Sequence, residues 1–290
     1  MVAGRTPPRR PARIAVLWPV WVLAVIAAAT PAGAAPARLG PHAATLPPGY
    51  QLVRDGPLSA PPSALDSGGL AQCPAGTVVW GGGVGSYANS TALTVNTSEP
   101  YGTEGWDARI NNAGSTTLQF YVDAICAKKP KGYKITYKTV DNATNTQSHA
   151  TAVCPSPKVV IAGGALSTSD EVDAFLTSIG PAGTTKFKVF VYNGTSTDAK
   201  VTAYAICAAK PRGYSITSTS FSVPQQMTWV SGFGCPGRHW VIGGGVQAVD
   251  HLPVVRVNQS ADDGSYGWVI QATNSGQEPH QVDEYAICAA

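Results

Sequence analysis

The chain has 290 residues, 13% of them charged, with 31 glycines, 23 prolines and six cysteines, and it carries 20 lysines and arginines against 17 aspartates and glutamates. Four of those arginines stand within the first thirteen residues, so the remainder is close to neutral. That balance excludes the long-range basic field that gathers nucleic acid or anionic lipid, and the composition points to a turn-rich, extracellular β protein.

In chain order the first element is a leader. Arg5, Arg9, Arg10 and Arg13 precede an apolar run at residues 14–30, interrupted by Pro19 and followed by Ala32-Gly33-Ala34. A basic head, an apolar middle and a small-residue exit read as a secretory signal over residues 1–34. At about 17 residues the run is short for a membrane span. Residues 35–48, APARLGPHAATLPP, form a proline- and alanine-rich flexible segment. No second apolar span, wall-sorting tail or lipidation motif follows, so the expected product is freely secreted and makes no membrane contact after cleavage. Lys128, Lys129, Lys131, Lys134 and Lys138 form the one basic run, read as a solvated linker.

A repeat then takes over. The cysteines at 73, 126, 154, 207, 235 and 288 fall in pairs 53 apart, recurring at intervals of 81. The chain is three copies of one unit, at 49–129, 130–210 and 211–290. Each copy opens on Gly49-Tyr50, Gly132-Tyr133 or Gly213-Tyr214 and closes on Ile-Cys-Ala. Each first cysteine is followed by an apolar triplet (Val78-Val79-Trp80, Val159-Val160-Ile161, Trp240-Val241-Ile242). A small-residue run comes next (Gly81-Gly82-Gly83, Ala162-Gly163-Gly164, Gly243-Gly244-Gly245). Farther on come an aromatic (Trp106, Phe187, Trp268) and an asparagine (Asn112, Asn193, Asn274).

The apolar positions alternate at spacing two, which is the period of a strand. Six strands per copy are expected, in the second copy near 133–139, 148–154, 158–161, 174–178, 186–192 and 200–207. The glycine run would let backbones approach closely or a strand bulge. The asparagines would start the turn between strands five and six in a positive-φ conformation. Trp106, Phe187 and Trp268 alternate with buried positions and read as core rather than as sugar platforms.

Six cysteines in a secreted chain imply disulfides, and equivalence of the copies selects Cys73–Cys126, Cys154–Cys207 and Cys235–Cys288. The spacing fits no zinc site, and neither a metal nor a cofactor is expected. The fold class is all-β, in three tandem repeats. A single 80-residue sheet exposes an apolar face, so three sheets closing inward with pseudo-threefold symmetry, like a β-prism, are expected. The alternative is a row of three small sandwiches or barrels.

Three cysteine-bearing all-β repeats resemble the vitelline membrane outer layer protein family. That resemblance implies a β-prism, although that family's repeats are shorter and no catalytic motif is shared. The phrases CPAGTVVWGGG, CPSPKVVIAGG and CPGRHWVIGGG, with the closing YAICA, look like secreted actinobacterial repeat proteins. This second resemblance covers nearly all of the chain after the leader and implies no particular activity.

Function is expected where the copies differ. The loop between strands three and four diverges most, at 85–92, 167–173 and 247–253. It offers Tyr87 and Asn89 in the first copy, Asp170, Glu171 and Asp173 in the second, and Asp250 and His251 in the third. Gathered at one end of the molecule, these would form a polar rim with an aromatic member, suited to sugars. Asp170, Glu171 and Asp250 are the nominees for a glycosidase carboxylate pair. None of the five histidines belongs to a nucleophile motif, and the SDEVD string lacks the calcium-loop pattern. With no catalytic residue identified, the expectation is a secreted, monomeric binding module for glycan or another envelope component. The alternatives are a glycan-acting hydrolase or transferase, and a structural or inhibitor-like protein.

Overall fold

The computed structural model describes residues 46–237, 239–264 and 267–290. The leader at residues 1–34 and nearly all of the 35–48 segment lie outside the described residues. Repeat 1 supplies β1 (Gln51–Ala60), β2 (Ala64–Gln72), β3 (Val78–Ser86), β4 (Leu93–Tyr101), β5 (Gly105–Asn112) and β6 (Leu118–Ala127). Repeat 2 supplies β7 (Lys134–Asn142), β8 (Thr146–Val153), β9 (Val159–Ser167), β10 (Ala174–Pro181), β11 (Lys186–Asn193) and β12 (Ala199–Ala208). Repeat 3 supplies β13 (Ser215–Val223), β14 (Met227–Gly234), β15 (Trp240–Ala248), β16 (Val255–Asp262), β17 (Gly267–Asn274) and β18 (His280–Ala289). Among the described residues every regular element is a strand. The six strands read in the second copy are all present. The third is longer than expected because it runs on through Ala162-Gly163-Gly164 instead of stopping before them.

The strands form three six-stranded sheets, ordered β1-β6-β3-β16-β17-β14 (the first sheet), β13-β18-β15-β10-β11-β8 (the second) and β2-β5-β4-β9-β12-β7 (the third). No sheet belongs to a single repeat. Each repeat divides into two three-stranded layers, one in each of two sheets, and each sheet is shared by two repeats. The joints are β3–β16, β4–β9 and β10–β15, and each pairs only one or two residues, such as Ser260 with Val84. The three joints close a cycle of repeats. Within each repeat the two layers pack their alternating apolar faces together, which answers the exposed-face problem that a sheet per repeat would have left.

The small-residue run makes both the packing and the cycle fit. A Cβ added at Gly82, Gly163 or Gly244 would lie 2.4, 2.3 or 2.4 Å from the ring of Trp106, Phe187 or Trp268. Those rings are buried, and the indole N–H groups of Trp106 and Trp268 donate to Ser98 and Ser260 Oγ, both at 2.9 Å. The next glycine serves the joint. A Cβ at Gly83, Gly164 or Gly245 would strike the carbonyl of Ser260, Ser98 or Ile179 at 2.0, 2.5 or 2.2 Å.

Where the three repeats meet, Gly81, Ala162 and Gly243 converge. A Cβ at Gly81 would sit 2.3 Å from the Ile242 carbonyl, and one at Gly243 2.7 Å from that of Ile161; both would also crowd the Ala162 Cβ, at 3.1 and 2.9 Å. One methyl fits there, and Ala162 provides it. Immediately before this point each strand bulges, leaving Trp80, Ile161 or Ile242 without a ladder partner and buried. Beside the bulge the carbonyls of Val79 and Val160 accept the hydroxyls of Tyr133 and Tyr214, at 2.6 and 2.7 Å. The Gly-Tyr that opens one repeat therefore ties it to the repeat before.

All three expected disulfides are present, with Cα–Cα separations of 5.5, 5.5 and 5.8 Å. Each joins the two layers of one repeat. The asparagines do so at the other end, by side chain rather than by backbone conformation. Asn112 Nδ2 donates to the carbonyls of Ala60, Pro61 and Thr116, and Asn193 and Asn274 reach Asn142 and Val223 in the same way. They do not take positive φ, as the turn reading had it. That conformation falls instead on Ser63, Asn145 and Gln226, in the turns between the first two strands of each repeat.

Gly81→Ala should lower stability by about 3 kcal/mol or more, because the obstacle is backbone and not a movable side chain. Gly232→Ala, whose nearest atom would lie 3.9 Å away, should stay within about 0.5 kcal/mol of wild type. Equilibrium urea unfolding of the two variants tests the contrast.

Candidate functional site

Each divergent loop docks on the neighbouring repeat at one joint. In the first loop, Asn89 Oδ1 and the Ala88 carbonyl accept from Gln271 of repeat 3, at 3.2 and 3.4 Å. In the second, the Glu171 carbonyl accepts from Asn111 of repeat 1 at 2.9 Å, and the Ser169 carbonyl accepts from Asn96. In the third, the His251 carbonyl accepts from Gln147 of repeat 2 at 2.5 Å, and its imidazole stacks on Phe190 at 4.1 Å. Asp250 pairs with His280.

Asp170, Glu171 and Asp173 are exposed, and the second loop is held by its carbonyls rather than by these carboxylates. The three loops therefore rest on three different sheets. Among the described residues no hydrogen bond or ring contact links a candidate side chain of one loop to one of another.

Tyr87 has company that the loop reading did not include. Its ring, 52% exposed, lies 5.1 Å from that of Tyr121. The Arg54 guanidinium covers Tyr121 at 3.8 Å and forks onto Asp123, with both bonds at 2.7 Å. Tyr121 and Asp123 alternate along β6 with the interior residues Phe120, Val122 and Ala124, so they occupy the opposite, outer face of the first sheet. Gln259 of repeat 3 donates to the Tyr121 hydroxyl at 3.3 Å. Burial pushes the Asp123 carboxyl up and Arg54 opposes it. Nearby, at the end of β16, burial pushes Asp262 up to about 7, against a bond from the Gly264 amide at 2.7 Å.

The third sheet carries a second aromatic pair on the corresponding face. Tyr137, 70% exposed, lies 6.1 Å from Tyr204. The Tyr204 hydroxyl lies beside Glu99, whose carboxyl burial pushes up to about 7. In register opposite Glu99 is Asp107, which also raises it and which pairs with Arg109 at 3.3 Å. Arg109 in turn reaches Asp66 at 2.7 Å. In the second sheet the equivalent place holds Tyr285, bonded to Asp283 at 3.3 Å and facing Ser218 rather than a second ring.

Arg54, Glu99, Tyr121, Asp123, Tyr137 and Tyr204 are thus candidate residues that the loop comparison passed over. A signal for them is in the repeat itself. Equivalent places read Asp123, Tyr204 and Tyr285 in one row and Glu99, Gly180 and Ala261 in another. A residue that breaks the alignment inside a strand is as informative as one in a loop. Among the described residues, no group of three or more histidines, cysteines, aspartates or glutamates is placed to hold a metal ion. Compared with known proteins, the chain matches no family model and no curated sequence.

Asp123→Ala would strand a partly covered guanidinium and should cost about 2–3 kcal/mol, less than a fully buried pair because Arg54 is a third exposed. Pairing it with Arg54→Leu should recover part of the loss, which a double-mutant cycle in urea would register.

Proposed function

We propose that the protein is a secreted, disulfide-braced binding module that recognises glycan or other envelope material on the tyrosine-bearing outer faces of its sheets. Three disulfides in an all-β fold fit an oxidising, extracellular setting, and the leader read at residues 1–34 supports export. The phrases around each first cysteine support a place among secreted actinobacterial repeat proteins.

One observation carries the ligand class. On two sheets an exposed tyrosine leans on a second ring that is anchored by charged groups, as Tyr87–Tyr121 with Arg54 and Asp123, and as Tyr137–Tyr204 with Glu99. A ring face suits the C–H surface of a sugar, and adjacent carboxyl and guanidinium groups suit its hydroxyls. The loop residues Asn89, Asp170, Glu171, Asp173, Asp250 and His251 would edge these surfaces.

A glycan array probed with the oxidised protein tests this reading. Tyr87→Ala or Tyr137→Ala should lower binding at least tenfold without shifting the melting temperature. Tyr101→Ala, at a tyrosine 51% exposed that makes neither ring contact, should bind normally. Silence across the array would end the proposal.

A second reading, glycoside hydrolysis, is favoured by the register of Glu99 against Asp107. Facing cross-strand residues have Cβ atoms about 5 Å apart, compatible with the carboxyl spacing of a retaining glycosidase. Glu99, protonated up to about 7, would give its proton to the leaving oxygen, and Asp107 would attack the anomeric carbon. Aryl glycosides should then release phenol at a rate that falls as pH rises through about 7, and Glu99→Gln should abolish release. Binding on the array with no turnover of any aryl glycoside would dismiss hydrolysis and leave the binding reading intact.

A further inference from the structure

Repeat 3 contains a carboxyl where the other repeats are apolar. Glu284 projects from β18 into the space between the two layers, at the place of Val122 in repeat 1 and Ala203 in repeat 2. It is completely buried. Oε2 accepts from Ser231 Oγ of β14 at 2.8 Å, and Oε1 has no partner.

The Ser231 bond crosses from the first sheet to the second. The other repeats have a crossing bond between their layers too, built without a buried acid, at mid-strand in repeat 1 and beside the disulfide at the end of β8 in repeat 2. In repeat 1 the Leu70 amide donates to Asp55 at 2.9 Å, and in repeat 2 Thr136 Oγ1 donates to the Val153 carbonyl at 3.1 Å. Thr217, the counterpart of Thr136, instead donates to Ala286 in its own sheet at 3.4 Å. Between the disulfide at one end and the Asn274–Val223 bond at the other, Ser231–Glu284 holds the layers of repeat 3 together. The strand it secures is an outer one, with Met227, Trp229 and Val230 exposed by 47, 42 and 46%.

We infer that Glu284 is a proton-controlled clasp: neutral, it keeps the layers of repeat 3 closed; ionised, it drives β14 away from β13 and β18. An uncompensated carboxylate in an apolar interior is costly, and water reaching Oε1 between the parted edge strands relieves it. The groups facing Glu284 from the packed strands are Thr219, Val246 and Ser231, none of them charged. Burial is accordingly the main cause that lifts this carboxyl from 4.5 to about 7, opposed only by the Ser231 bond. An acid raised by folding contributes its full stability below 4.5, and that contribution is lost as pH climbs to about 7. The clasp is independent of the glycan reading.

Amide hydrogen exchange of the oxidised protein at pH 5 and pH 8, corrected for the intrinsic rate, tests it. Protection of β13 and β14 should fall by about 50-fold relative to β7 and β8 as pH rises; the upper bound over this interval from the lifted carboxyl is about 70-fold. Glu284→Val, which installs the residue of repeat 1, should remove the difference, and Glu284→Gln should do so while keeping the Ser231 bond. The same pH profile in wild type and either variant would overturn the clasp, as would a loss of protection spread evenly over all three repeats.

Discussion

The structure depends on crowding at the point where the three repeats meet. Backbone carbonyls of Ile161 and Ile242 stand where side chains of Gly243 and Gly81 would be, and the Ala162 methyl takes the space that remains. Interiors pack at crystal-like density, so such a junction cannot be relaxed by moving one side chain. Three strands converge this closely only because each bulges one residue earlier, placing Trp80, Ile161 and Ile242 in the interior. The bulge disturbs the ladder, and the hydroxyl of a tyrosine near the start of the next repeat takes up the carbonyl beside it, as Tyr133 and Tyr214 show.

That arrangement also explains how a cycle can be held by such short joints. One or two residue pairs per joint supply few ladder bonds, each worth about 1 kcal/mol net. The cohesion between repeats lies mainly in what surrounds the joints: the bulged apolar side chains, the tyrosine bonds and the docked loops. Within a repeat the order reverses. Long ladders form each layer, a buried aromatic lies against glycine between the layers, and the disulfide constrains the unfolded chain by about 4 kcal/mol. The loops that diverge most between copies are therefore structural at their backbones. The carbonyls of Ala88, Ser169, Glu171 and His251 close the joints, whereas Tyr87 and Asp170 leave their side chains outward.

The all-β class, strand count and sulfur pairing were legible in the sequence because each rests on a period, and a period survives without knowledge of tertiary contacts. The sharing of sheets was not legible. Alternation says that a strand has an inner face but not which strand lies beside it, and Val84 meets Ser260 from 176 positions away. The glycine run was visible as a place of close approach, while its division of labour among the centre, the aromatic ring and the joint requires coordinates. The candidate site was legible only at Tyr87. Tyr121, Asp123 and Arg54 sit in strands, where polar residues on an alternating pattern look like ordinary solvent-facing positions. Their association follows from the pairing of β1 with β6, which spans most of a repeat.

Threefold repetition also makes departures from it measurable. Among the described residues four carboxyls are pushed up by burial, Glu99 and Asp123 in repeat 1 and Asp262 and Glu284 in repeat 3, and the acids of repeat 2 show no such burial. At each of these places the other copies carry an apolar residue, glycine, proline or tyrosine. The architecture therefore does not require the acids, and burying them weakens it. Repeats 1 and 3 are the two that share the first sheet, which holds Arg54, Asp123 and Asp262 and reaches Glu284 through Ser231 of β14. A scaffold that repeats itself where packing governs, and departs from repetition at buried charge, gathers three of its four raised acids around the first sheet, with Glu99 on the third.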